Sequence, residues 1–349
     1  MPAMNMPLIH TLSDHLKARF GTKVRKLSLH GRFTCPNRDG TLGRGGCTFC
    51  NVASFVDEGA ADDSVADQLC ARKAEMRRPA GRYLAYFQAY TSTYGEYEVL
   101  ERLYREALAS DDVVGLCVGT RPDCVSDAVL ALLGRLRAEG QEIWLELGLQ
   151  SAHDVTLKRI NRGHDFGAYA DAVARAQRYG VPVCTHLILG LPGEDDAMTL
   201  SSLQRVTDLG VQGLKLHPLH VVEGSILART WRVGRYQPWT LERYVATATA
   251  LIRHTPSSVV YHRIAASARP PTLLAPQWCA DRWAAPQAIE AQLKLLGGQG
   301  SACCLPLVGG CEQPAQGAQG AVDLGDVGGA DENRVVTGDG AENALGLAQ

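Results

Sequence analysis

The run Val24-Arg-Lys-Leu-Ser-Leu-His30 leads through Gly31-Arg-Phe-Thr34 into Cys35-Pro-Asn-Arg-Asp-Gly-Thr-Leu-Gly-Arg-Gly-Gly-Cys47-Thr-Phe-Cys50. The first part reads as a strand, the second as the loop that follows it. Its cysteines are spaced C-x11-C-x2-C. Three thiolates are one ligand short of a closed tetrahedral zinc site or a fully cysteine-ligated [4Fe–4S] cluster. On a cubane they would leave the fourth iron open for another ligand. The C-x2-C pair comes from one tight turn, and Gly40, Gly43, Gly45 and Gly46 let the segment fold back so that Cys35 joins it. Phe49 could shield a cluster from water and influence its potential. On spacing alone two alternatives stand: a zinc site completed by His30 or Cys70, or unrelated buried thiols.

Outward from this loop, short apolar or β-branched runs alternate with longer amphipathic ones. Strand candidates are Val24–His30, Tyr83–Gln88, Val113–Gly119, Glu142–Gly148, Val181–Leu189 and Gly213–His217. Leu100, Leu103, Tyr104 and Ala107, with Val99 and Leu108, form an apolar stripe at helical spacing. Ser126 and Asp127 can open the next helix and Gly140 close it. Ser151 to Asp154 reads as a capping box, and the helix after Asp196 ends at Gly210. Six strand–helix units predict parallel strands in an α/β fold, a partial (β/α)6, TIM-like barrel open to one side, since closure needs eight. Its reactive residues should lie beyond the carboxyl ends of the strands.

The expected organisation is an N-terminal segment over 1–22, the partial barrel over 23–220, a C-terminal extension packed on it over 221–311, and a tail over 312–349. In the extension, Thr240 to His254 predicts a helix, Val259 to Ile264 one more strand, and Ala285 to Leu296 a last helix. The tail is rich in Gly, Ala, Gln and Asp and predicts disorder.

The 349 residues are 46% apolar and 21% charged, ordinary for a globular protein. The net charge of -2 hides an asymmetry. From Glu312 onward one arginine stands against seven acids, a net of -6, which leaves the body at +4. A mildly basic body permits a nucleic-acid substrate without demanding one. No secretory signal opens the chain and no apolar run approaches the ~20 residues that span a bilayer. With 11 cysteines, this predicts a cytoplasmic protein using thiols for metal or catalysis, with no membrane partner.

The loop after the first strand, the partial barrel, and polar residues at later strand ends together resemble the radical S-adenosylmethionine (SAM) superfamily. Its Elongator-catalytic-subunit-like and oxygen-independent-coproporphyrinogen-oxidase-like branches are the nearest in pattern. More narrowly, Leu27 to Ala53 and Tyr86-Phe-Gln-Ala-Tyr-Thr-Ser-Thr93 resemble the bacterial YhcC family of radical enzymes, over most of the chain to about Gly300. The usual superfamily spacing is C-x3-C-x2-C; the longer first gap belongs to the resembled subfamily.

The resemblance implies a [4Fe–4S] cluster on Cys35, Cys47 and Cys50 with SAM chelating the open iron. One electron, from a donor such as flavodoxin or ferredoxin, would cleave SAM to methionine and a 5′-deoxyadenosyl radical that abstracts hydrogen from an unidentified substrate. It also implies cofactor-binding roles: Thr91 at the methionine amino group, Gln150 at the ribose, Arg162 near the methionine carboxylate, His186 near the ribose, and Gly190 beside adenine. Gly119 replaces a family glutamate, so that contact would fall to Glu146 or be absent. No residue is assigned to catalysis.

Each of these residues has a plainer reading. Gln150, Arg162 and Asp123 could form a buried polar network, and Gly190 and Gly193 could serve turns only. Of His164, His186, His217 and His220, at most two should contact ligand, His186 and His217 first. Arg121 could bind an anionic substrate group or pair with Asp123. Cys117 and Cys184 read as core residues. Cys303, Cys304 and Cys311 suggest a second cluster that adjacent cysteines could hardly hold. Two other functions remain as alternatives: a zinc-stabilised RNA-binding module without catalysis, and a radical enzyme acting on transfer RNA.

Overall fold

The computed structural model describes residues 7–51, 63–76 and 81–303. Its centre is a parallel sheet of seven strands: β1 (Val24–Leu29), β2 (Arg82–Phe87), β3 (Val113–Thr120), β4 (Glu142–Gln150), β5 (Val183–Leu189), β6 (Gly213–Pro218) and β8 (Val260–Arg263). They pair in that order, every neighbour parallel, and the sheet curls into a half-barrel. A short antiparallel pair, β7 (Val221–Val222) with β9 (Leu273–Ala275), lies apart from it.

Parallel strands need both faces covered, so their residues are buried almost without interruption. All eight residues of β3 and the first eight of β4 are buried. Helices cover the outer face: α3 (Val65–Ala74), α4 (Tyr97–Leu108), α5 (Asp127–Ala138), α7 (Phe166–Arg178), α8 (Asp196–Asp208) and α10 (Leu241–His254). Their buried stripes, such as Leu100, Tyr104 and Ala107 of α4, join one core with the outward strand residues. Val99, read as part of that stripe, is exposed. Ser126 caps α5 as expected, its hydroxyl accepting from the amide N–H of Val129. Ser151 does not cap the following helix, α6 (Asp154–Arg159). Its hydroxyl instead donates to the buried Glu194 carboxylate, a partner from the next unit that sequence spacing does not reveal.

The barrel uses one strand more than the six-unit reading. β8 comes from the segment assigned to the C-terminal extension and pairs with β6, Leu214 opposite Tyr261. One strand of the extension therefore belongs to the sheet itself. The tail from 312 and the pair Cys304 and Cys311 lie outside the described residues.

The inner face is sealed at the amino ends of the strands by α1 (Leu12–Phe20), which packs against both β1 and β8. Leu12 and Leu16 meet Leu84, Trp144, Cys117 and Cys184 there. The last two are buried core thiols, in keeping with their sequence reading. Arg19 and His15 of α1 reach the buried carboxylate of Glu142 at the start of β4. A Leu16→Ala variant removes a side chain that is 2% exposed. It should cost about 2–4 kcal/mol in urea unfolding; a loss below about 1 kcal/mol would mean α1 is not a plug.

Candidate active site

Side chains alternate between strand faces, so every second residue points into the half-barrel. In β4 these are Trp144, Glu146 and Gly148, in β5 Cys184, His186 and Ile188, and in β6 Gly213, Lys215 and His217. The series rises from an apolar floor through a charged layer to an open cleft. A cavity of about 280 Å³ opens at the carboxyl ends of the strands, walled by the cysteine loop, the ends of β2 to β6, and Arg263 with Ala266 to Ala268 after β8.

The cysteine loop forms one side. Cys35 precedes α2 (Pro36–Asp39), whose first position is the proline that a helix start tolerates. Gly45 and Gly46 both take positive φ, which turns the chain back toward Cys47. The loop is fastened from two directions. Asn37 donates to the carbonyl of Asn161 at 2.6 Å, and Asn161 donates to that of Gly46 at 2.9 Å. The amide N–H of Leu227, in α9 (Ile226–Arg232), donates to the carbonyl of Thr48 at 2.8 Å.

All three thiols line the cavity. Arg162 Nη1 lies 3.4 Å from Cys47 Sγ, Asn37 Nδ2 3.7 Å from the same sulfur, and Arg38 Nη2 3.5 Å from Cys50 Sγ. Burial raises the Cys50 thiol, Cys47 beside it adds to the rise, and the Arg38 charge opposes both. N–H groups aimed at sulfur stabilise thiolates and set the potential of a cluster that they bind.

The donor set fits a cluster better than a single ion. Among the described residues, the groups whose donor atoms all come within 4.8 Å of one another are Cys117–Glu146–His262 and Glu146–Cys184–His186; the three loop thiols do not form such a group. Tetrahedral zinc with Zn–S bonds of about 2.3 Å would hold sulfurs under about 4 Å apart. A cubane spreads its thiolates over separate irons and tolerates a wider trio. Neither His30 nor Cys70 lines the cavity, and Cys70 is exposed.

Four of the five residues assigned to cofactor binding share this cavity: Thr91, Gln150, Arg162 and His186. Thr91 is fully buried and its Oγ1 has no partner, a hydroxyl left for a ligand. Gln150 closes β4 with φ +81°, a backbone strain that a non-glycine residue carries where a site requires it. Arg162 is buried and clasps the carbonyl of Gly148 through Nε and Nη2 at 3.1 and 2.5 Å. A Cβ at Gly148 would come within 2.8 Å of both Arg162 and Gln150. Gly190 is not in the cavity wall. Its φ of +92° and the packing of Trp239 against it account for the glycine, and its carbonyl accepts from Tyr236.

Of the four histidines, His186, His217 and His220 line the cleft and His164 does not. Arg121 is spent on structure: it makes a two-point pair with Asp123, at 3.0 and 2.8 Å, and donates to the carbonyl of Arg162.

The sequence reading missed the charged layer beneath. Glu146 has 0% side-chain exposure. Its Oε1 accepts from Lys26 at 2.5 Å and meets His262 at 3.1 Å; its Oε2 accepts from Lys215 at 2.8 Å and meets His186 at 2.8 Å. Burial would raise this carboxyl, but the Lys215 and Lys26 charges prevail and hold it well below the usual range. Glu146 stands beside Gly119 in register, where the family glutamate would be, with both oxygens already engaged. They are also where a metal would bind, so the lysines take the place of a cation in both histidine–cysteine groups. Lys215 donates a further bond to the Tyr86 hydroxyl at 2.7 Å. Burial lowers its pKa to about 8, with Glu146 opposing and Arg263 and Lys26 adding to the fall. The available signal was a lysine in Gly-Leu-Lys-Leu-His-Pro, a strand otherwise due to be buried on both faces.

His186 and His262 are held neutral, burial lowering them to about 4 and about 3, with Lys215 acting with burial on the first and Lys26 on the second. An unfolded histidine titrates near 6.5. In the window between that value and the folded ones, the unfolded chain binds more protons, so stability falls as pH falls. The unfolding free energy from urea titrations should drop between about pH 7 and pH 5, by at most about 1.4 kcal/mol per pH unit for each histidine. A flat profile would mean that these rings are not buried neutral.

With this geometry in hand, likeness to known proteins is informative. A model for the Radical SAM superfamily matches residues 39–206, and one for the Radical SAM C-terminal domain matches 211–294. Protein YhcC of Escherichia coli (strain K12) is 56% identical over 299 residues, 86% of this chain and 96% of that one. Over a shorter stretch of 148 residues, 40% of this chain and 31% of the other, the tRNA uridine(34) acetyltransferase of Dehalococcoides mccartyi is 35% identical. The solved structure of Methanocaldococcus infernus Elp3 with an N-terminal deletion matches the fold with a TM-score of 0.61 at 19% identity, over 78% of this chain and 63% of that one. The half-barrel with its cysteine loop and the match along nearly all of YhcC together show that the chain belongs to the radical SAM superfamily of enzymes, as a YhcC-like member.

Proposed function

We propose that the protein carries one [4Fe–4S] cluster on Cys35, Cys47 and Cys50 and uses it to cleave SAM reductively. The observation that carries this reading is the trio of thiols on one wall of a cavity whose other walls hold Thr91, Gln150, Arg162 and His186. When bound, the cluster and SAM would supply a 5′-deoxyadenosyl radical that takes a hydrogen atom from the substrate.

The chain's own residues prepare for that chemistry. Arg162 and Asn37 direct N–H groups at the Cys47 sulfur and Arg38 at that of Cys50, donors that would tune the potential of a cluster held there. The free Thr91 hydroxyl suits the amino group of SAM, and the Gln150 amide suits its ribose. Phe49 and Ile188 line the cavity as apolar wall and limit water at the reacting carbon. A one-electron donor such as flavodoxin or ferredoxin and a cytoplasmic setting complete the proposal. Among the described residues no helix is long and apolar enough to cross a membrane.

Anaerobic reconstitution of the full chain with iron and sulfide tests it. We expect close to four irons and four sulfides per chain, and 5′-deoxyadenosine formed from SAM under dithionite. About one zinc per chain without sulfide would instead favour the zinc-stabilised RNA-binding module.

A second reading, a radical enzyme acting on transfer RNA, draws on the partial likeness to the tRNA uridine(34) acetyltransferase and on the +4 body. Acetyl transfer itself is not carried over, because the match covers 31% of that enzyme. Transfer RNA retained at physiological salt would support this reading; binding confined to very low salt would count against it.

A further inference from the structure

Arg263 lies directly across from Lys215: they are register partners on β8 and β6, and both line the cleft. Like charges at facing strand positions repel, and here they do so in the partly buried wall of the cleft. Lys26, Lys215 and Arg263 bring three positive charges to this layer. Glu146 is the only carboxylate among the described cavity-lining residues, and both its oxygens are already taken by the two lysines. No carboxylate among the described residues pairs with Arg263, whose Nε is buried without a partner. His220 Nε2, in the same wall, is also buried without one.

Lys215 is buried and Arg263 half-buried, and folding alone does not favour such a surplus of positive charge. The other arginines of the cleft are employed elsewhere, Arg121 on Asp123 and Arg162 and Arg38 at the thiols. We propose that Arg263 and Lys215, with His220 beside them, form an anion-binding subsite that takes a carboxylate or phosphate group of the substrate. The guanidinium fork matches two oxygens of such a group, and the ammonium adds a point charge. Burial, with a hydrogen bond to the Ala266 backbone opposing and the Arg263 charge adding to it, lowers His220 to about 4, so that ring contributes a hydrogen bond rather than the main charge. The assignment rests on the radical SAM reading only in calling the anion the substrate's.

The test uses thermal unfolding of the reconstituted full chain, with inorganic phosphate or acetate replacing chloride at constant ionic strength. We expect one of the two anions to raise the wild-type melting temperature. In Arg263→Gln its apparent affinity should fall at least tenfold, while that variant should melt higher than wild type in chloride, having lost a repelling charge. If R263Q does not fold, Arg263→Lys carries the test, keeping a weakened response. Acetate acting alone would identify a carboxylate, and phosphate acting alone a phosphoryl group. The proposal is overturned if wild type responds to neither anion, or if R263Q responds as wild type does. It is also overturned if R263Q weakens SAM binding in equilibrium dialysis by the same factor, since the guanidinium would then serve the cofactor. SAM cleavage by wild type is scored in parallel. Its absence beside an intact anion response would remove the radical reading alone.

Discussion

Cys47→Ala should abolish SAM cleavage, with 5′-deoxyadenosine falling at least about a thousandfold and the iron content collapsing, because metal sites of this kind bind through their full ligand set. Cys47 is the most demanding of the three positions. It is buried, and both Arg162 and Asn37 aim N–H groups at its sulfur. The variant leaves those donors facing a methyl group and a cluster with two protein ligands. Cys70→Ser and Cys303→Ala are the controls, since both residues are exposed and neither lines the cavity. Iron and sulfide analysis with product chromatography decides the matter. Full iron in C47A, or loss of iron in C70S, would reassign the ligands.

Glu146→Gln should be the most damaging change to stability. The substitution keeps volume and removes charge, leaving Lys26 and Lys215 in the interior without a counter-ion. Breaking one partner out of a buried pair costs about 3–5 kcal/mol. At about 2–4 °C per kcal/mol for a domain of this size, the melting temperature should fall by roughly 10 °C. Adding Lys215→Met should recover part of the loss, because one stranded charge goes with it. Urea unfolding of the single and double variants measures both effects. A loss below about 1 kcal/mol for E146Q would show that water reaches the lysines and that the layer is not dry.

What could be read from the chain, and what could not, divides along physical lines. The barrel strands were legible to within about two residues because parallel strands are apolar on both faces, and some helix starts, those at Ser126 and Thr240 among them, carried a capping residue. The cysteine loop and four of the five assigned cofactor residues meet in one cavity because strand ends converge there. Gly190 lies outside that cavity wall, and in sequence a glycine forced by φ and by an indole looks the same as one that admits a ligand. Three features were hidden because they depend on contacts between distant residues: the entry of β8 into the sheet, the α1 plug, and the Ser151–Glu194 bond. Lys26, Lys215 and Arg263 were passed over because single charges usually mark a solvated face. Only the curl of the sheet turns them inward together.

The position of β8 in the chain also bears on how the protein is made. Arg263 closes the cleft that Cys50 opens, and the two are separated by roughly 200 residues, which take about 10–40 s to synthesise at ribosomal speed. For that interval the nascent thiols lack their far wall and stand open to oxygen. If the proposed cluster is carried, iron and sulfide delivery is therefore expected to follow release from the ribosome, and anaerobic co-expression with cluster-assembly machinery should raise occupancy more than slower translation does.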